Sequence, residues 1–346
     1  MAAVHVRRLR NRHRRRRNLP RPRVFRDRLN PLESLDDEEL FDKYRFRRPT
    51  ITFILNGIHN FLHRETRRNF ALSPVIQLLL FLRFVATGTH LSLVGDSLCI
   101  SESATGRACR DVCQAIITVF RNIICFPVGE KAIQVMEGFR RIAGFPNVLG
   151  CIDGTFVKII SPHENEADFV NRKGVHSLNI QMVCDPNFRV TSMCAKWPGS
   201  VHDSRIFRTS GLCQQFENGI HQGLLLGDSG YPCTKYLMTP YLSPANNCQG
   251  NFNRALCRTR VLIEQTFGIL KRRFNCLHDG FRTTPEQSVK YITSCVILHD
   301  IGINHNDIII NNNIEEIAIG DCRGDINMNP TFDGTAKRND IARQFF

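Results

Sequence analysis

The chain has 346 residues, 42% apolar and 23% charged, ordinary proportions for a soluble globular protein and enough for one large core or two domains. Its formal net charge is +14, but residues 1–30 hold twelve Arg against one Asp, so the rest of the chain is close to neutral. The longest apolar run, Val75–Ala86, contains Gln77 and Arg83 and is too short to cross a bilayer, which excludes a membrane span and predicts a buried helix.

Residues 1–30 form a basic arm that repels itself and has no means of building a core. Such an arm suits nuclear import or loose phosphate contact, and its plainer reading is a disordered tail without a receptor. The expected location is nuclear, with the cytoplasm second. No secretory signal is evident.

Residues 31–145 read as a helical domain. A helix over Leu35–Tyr44 has Ser34 as its cap candidate, and spacing near 3.6 continues through Ile51–Leu62, Val75–Ala86 and Cys109–Ile124. Within it, Leu91–Leu98 and Ala104–Ile117 around a turn at Cys99–Ser103 resemble a helix-turn-helix. This would aim Arg107 and Arg110 at DNA. Short helix pairs are also common in bundles that bind nothing.

From 146 to 304 the pattern changes to strands, at Val148–Ile160, Ser177–Cys184, Val190–Trp197 and Gly223–Gly227. Residues 305–346 are polar and Asn-rich, which predicts a loose tail. The fourteen Cys are scattered without a Cys-x-x-Cys pair, so a zinc site is not expected and the thiols are read as reduced.

Two predicted strands carry an acid where desolvation is costly. Leu149-Gly150-Cys151-Ile152-Asp153-Gly154-Thr155 places Asp153 in an apolar run, and Leu224-Leu225-Leu226-Gly227-Asp228 ends in Asp228. Ligand sites in open α/β sheets gather at strand carboxyl ends. A predicted helix over Arg258–Phe274 presents Arg260, Glu264 and Lys271 on one face. Alone, that stripe is an ordinary surface helix with an i,i+4 ion pair. Converging acids, however, need a hard divalent cation such as Mg²⁺ or Mn²⁺. Asp203, in Trp197-Pro198-Gly199-Ser200-Val201-His202-Asp203, is a ligand, a supporting group, or only the N-cap of a helix over Ser204–Phe216. His202 is expected to point away from the site.

Five ordered stretches resemble the PIF/Harbinger superfamily of DDE transposases: Gly-Cys-Ile-Asp-Gly-Thr at 150–155, Asn-Arg-Lys-Gly-x-His-Ser-Leu-Asn at 171–179, Trp-Pro-Gly-Ser-x-His-Asp at 197–203, Leu-Leu-Gly-Asp-Ser-Gly-Tyr-Pro at 225–232, and Ile-Glu-Gln-x-Phe-Gly-x-Leu-Lys-Arg-Arg-Phe at 263–274. The resemblance implies an α/β RNase H-like catalytic domain, a mixed sheet flanked by helices, following the helix-turn-helix-like region. It implies Asp153, Asp228 and Glu264 as catalytic acids and metal ligands, with Asp203 as a further ligand. Arg260 and Lys271 would touch DNA. Cys257 replaces the Tyr of a related Tyr-x2-Arg-x3-Glu-x6-Lys pattern, and Asp300 follows His299 where the family usually has Asn. The family's transposases work with a separately encoded Myb-like DNA-binding protein, so DNA and such a partner are expected. An oligomer is left open.

Three functions compete at this level. One is a metal-dependent DNA endonuclease using two ions. Another is a catalytically silent DNA-binding or adaptor protein. The third is a phosphatase or RNA nuclease using the same ions.

Overall fold

The computed structural model describes residues 30–63, 71–307 and 330–346. Nearly all of the basic arm, and the Asn-rich part of the expected tail, lie outside them.

The N-terminal region is helical, as its periodicity predicts. Helix α1 (Pro31–Ser34) is a single turn. Helix α2 (Asp37–Tyr44) is started by a capping box of Asp36 and Glu39, so Ser34 is not its cap. Helix α3 (Arg48–Leu62) buries Ile51, Ile54, Ile58 and Leu62 along one stripe. Helix α4 (Pro74–Thr87) has the Ser73 hydroxyl at its cap, Pro74 in its first turn, and Gly88 at φ 68° as its stop. It is buried almost all round, as a mostly apolar run requires.

Helices α5 (Leu91–Asp96) and α6 (Glu102–Phe120) form the expected short-turn pair. Gly95 permits the turn, because a Cβ there would lie 2.4 Å from the Ile100 carbonyl oxygen. α6 buries Cys109, Val112, Cys113 and Ile116 and exposes Arg107, Arg110 and Gln114. Helix α7 (Glu130–Ala143) leads into the sheet.

Five strands form one mixed sheet in the order β3-β2-β1-β4-β5. They are β1 (Val148–Lys158), β2 (Ser177–Cys184), β3 (Val190–Pro198), β4 (Leu224–Leu226) and β5 (Leu237–Met238). β1 pairs antiparallel with β2 and parallel with β4. β2 is buried at every residue. The two-residue β5 is too short to leave a sequence pattern.

The expected helix over Ser204–Phe216 is two: α8 (Asp203–Arg208) and α9 (Gly211–Glu217). Ser210 caps the second and breaks the run. Helix α10 (Asn247–Arg273) extends well before Arg258, because Asn246 caps it earlier. After the one-turn α11 (Cys276–Asp279), helix α12 (Pro285–Asn304) is buried along most of its length.

His299 and Asp300 join α12 to the β2–β3 turn. The His299 Nε2–H donates to the Phe188 carbonyl at 2.9 Å, and Val190 N–H donates to Asp300 Oδ1 at 2.9 Å. Burial, then the nearby Arg273 charge, pushes His299 down to about 4, so its ring is neutral. Asp300 therefore serves the fold here.

The tail is not loose throughout. Helix α13 (Phe332–Phe345) buries Ile341 and Ala342, and Phe346 packs 5.4 Å from Phe145. Composition hid it because so few residues make those contacts.

One hydrophobic cluster runs from Leu40 through the helices and the sheet to Ala342. The 145/146 boundary therefore marks a change of secondary structure within a shared core.

Candidate active site

The pairing of β1 with β4 aligns Cys151 with Leu226. Asp153 and Asp228 each lie two residues further on, so the parallel register sets them abreast. Gly154 N–H donates to Asp153 Oδ1 at 2.8 Å, and Gly230 N–H to Asp228 Oδ1 at 3.0 Å.

Asp203 is the first residue of α8, with His202 at the cap position, so it is not the N-cap. Its carboxylate lies against the backbone of β1. A Cβ at Gly154 would stand 2.2 Å from Asp203 Oδ1, a position that only glycine leaves open. Asn179 Nδ2 donates to the same oxygen at 2.7 Å. Gln181 Nε2 contacts the Asp203 carbonyl at 2.8 Å and the Tyr231 hydroxyl at 2.9 Å.

Glu264 on α10 is tied to the strand acids by Arg260. One guanidinium nitrogen donates to Asp153 Oδ2 at 3.0 Å and another to Glu264 Oε1. Arg260 is 7% exposed. Its planar fork is thus turned to the acids, because converging carboxylates in a dry site attract the nearest cation.

Electrostatics confirm the crowding. Burial raises Asp153 to about 7, Arg260 opposes that rise, and Asp228 and Asp203 add to it by repulsion. Asp203 and Asp228 are also raised, burial again the largest cause.

All four acids line one cleft of about 880 Å³, together with Lys158, Lys173, Lys271, His202 and His278. His202, expected to point elsewhere, is exposed at the α8 cap position and borders this cleft. Lys271 Nζ donates to Thr155 Oγ1 at 2.8 Å and to the Phe156 carbonyl at 3.2 Å. Arg107 and Arg110 are not in this cleft; they lie on α6. A second cavity of about 440 Å³, beside Asp185 and Asp300, contains none of the four acids.

Sequence reasoning missed the supports Asn179, Gln181 and Tyr231. A signal existed: Ser177, Asn179 and Gln181 are polar at alternate positions of a strand that is buried throughout.

The donors are all carboxylate oxygens, which suits a hard divalent cation. Among the described residues, no three candidate ligands are gathered at one point, and Asp153 and Glu264 are each paired with Arg260. Asp228, and Asp203 with one of its oxygens unbonded to Asn179, face the same cleft.

Gly154→Ala is expected to displace the Asp203 carboxylate. The fold should survive, because the clash falls on the far end of the Asp203 side chain rather than on backbone. Mn²⁺ affinity, read by titration calorimetry, should fall about 10-fold or more. Unchanged affinity would remove Asp203 from the ligand set.

A mixed α/β sheet with acids on neighbouring strands and on a crossing helix is the architecture of a carboxylate nuclease-like domain. Comparison with known sequences agrees. Residues 152–300 match the family described as DDE superfamily endonuclease. HARBI1 of Homo sapiens is 36% identical over 280 residues, covering 79% of this chain and 80% of its own length. HARBI1 of Xenopus laevis is 34% identical over 281 residues, covering 80% and 81%. An ALP1-like protein of Arabidopsis thaliana is 25% identical over 245 residues, covering 65% and 60%. No solved structure matches. The chain belongs to the Harbinger-derived group of the DDE endonuclease superfamily.

Proposed function

We propose that the chain is a divalent-metal-dependent endonuclease that hydrolyses DNA phosphodiester bonds, on an RNase H-like fold. The observation that carries this is the convergence of Asp153, Asp228, Asp203 and Glu264 on one cleft from four separate elements. These residues would hold Mg²⁺ or Mn²⁺. When bound, such ions activate water and stabilise the leaving oxygen. Arg260 keeps Asp153 and Glu264 facing each other, and Asn179 fixes the Asp203 carboxylate.

Arg107 and Arg110 extend from the exposed face of α6 and supply DNA contact outside the cleft. A Myb-like partner would add site recognition. The arm at 1–30 serves nuclear entry: a chain lacking it, expressed alone, is expected to stay in the cytoplasm under fluorescence imaging. Undiminished nuclear signal would leave the arm without that role.

The deciding experiment is nicking of a DNA duplex with and without Mn²⁺. Metal-dependent nicks support the reading. Salt-sensitive DNA binding with no cutting would replace it with a binding protein.

A further inference from the structure

The acids account for part of the cleft lining, and three lysines account for another part. Lys158 at the end of β1, Lys173 in the 171–174 turn and Lys271 on α10 all line it. Among the described residues, no salt bridge joins any of these three to a carboxylate. Lys271 holds its proton less firmly than a free lysine, through burial first and then through repulsion by Lys173 and Lys158. Like charges gathered in this way are unfavourable for the protein by itself and match a polyanion with several singly charged groups in a row.

The arrangement is built rather than accidental. The hydrogen bonds to Thr155 and Phe156 pin the Lys271 ammonium beside β1. Asn171 Oδ1 accepts from Lys173 N–H at 2.9 Å and from Val175 N–H at 3.2 Å, while its Nδ2 donates to Ser177 Oγ at 2.9 Å. Those bonds, with Gly174 at φ 70°, fix the turn that carries Lys173. Thr155 is two residues from Asp153, about 7 Å along a strand. That is comparable with the step from one backbone phosphate of DNA to the next.

We propose that Lys158, Lys173 and Lys271 form a seat for the run of DNA backbone phosphates that follows, along the strand, the phosphate held at the acids. The placement beside a scissile phosphate rests on the nuclease reading; the seat itself rests on the lysines. Its role is to offset the repulsion between an acid-lined cleft and a polyanion.

The test is fluorescence anisotropy of a labelled duplex in EDTA, titrated across a salt series with the full chain. Lys158→Ala and Lys173→Ala should each weaken binding about three- to tenfold and lower the log–log salt slope by about 1. Lys158→Arg and Lys173→Arg should keep both. Lys131→Ala, in the second cavity, should change neither. Unchanged affinity and slope in both cleft variants would overturn the seat, as would an equal loss from Lys131→Ala. Because no metal is present, cutting does not enter the result. A chain with the expected slopes that never nicks DNA keeps the seat and loses the nuclease reading. A chain that nicks normally with unchanged slopes loses the seat alone.

Discussion

Replacing Asp153 or Glu264 by Ala is expected to abolish Mn²⁺-dependent nicking of duplex DNA, with a loss of more than about 100-fold for either variant. The magnitude follows from the metal-site hierarchy. Groups that merely orient a ligand cost about 10–100-fold when removed, so a direct ligand costs more. The acids act as a unit, and the double variant should therefore be no worse than the poorer single. Neither change should unfold the protein. Asp153 carries a charge that its own burial disfavours, and Glu264 is partly exposed at the edge of the cleft. Circular dichroism and thermal melting check this. Glu166→Ala, at an exposed residue paired with His176, is the matched control and should cut normally. Full activity in Asp153→Ala or Glu264→Ala would end the carboxylate mechanism.

The largest expected effect on stability lies outside the cleft, at Arg273. This residue is fully buried at the end of α10. Its guanidinium donates to the Arg45 carbonyl at 3.0 Å and to the Asp307 carbonyl, and stacks 5.1 Å from the Phe46 ring centre. Gly302 on α12 makes room, since a Cβ there would stand 2.7 Å from Nη1. Asp307 in turn accepts from the Arg47 backbone and side chain at 3.0 and 3.1 Å. Burial lowers Arg273 to about 10, with the Asp307 charge opposing that shift.

One side chain thus clasps the α2–α3 link, the end of α10 and the end of α12. Arg273→Ala removes a donor from one buried and one part-buried carbonyl and opens a cavity, so stability should fall by about 3–5 kcal/mol. Arg273→Lys should recover little, because a single ammonium does not reproduce the planar fork. Urea unfolding measures both. A loss below about 1 kcal/mol for Arg273→Ala would show the clasp to be dispensable.

The features readable in the sequence were those with a local signature. Asp153 and Asp228 stood out because each is an acid at an apolar strand. The five ordered motifs then joined them to Glu264. Long periodic helices such as α4 were equally plain. What stayed hidden depends on partners distant along the chain. Arg273 reads as one of three consecutive cations and gives no sign that it alone turns inward. Arg260 gives no sign in the sequence that it bridges Asp153 and Glu264. Asn179 and Gln181 gain meaning only when β2 lies between β1 and β3. The helix at Phe332–Phe345 is amphipathic by only a few residues, and its contacts with Tyr241 and Phe145 could not be anticipated from composition.

The core shared by the helices and the sheet also bears on target choice. α6 packs on α12, and α12 packs on β3, with no linker between. On the proposed reading, the arginines that grip DNA and the carboxylates that cut it keep a constant offset. The breakage point should then fall a set number of base pairs from the gripped segment, as though measured by a ruler.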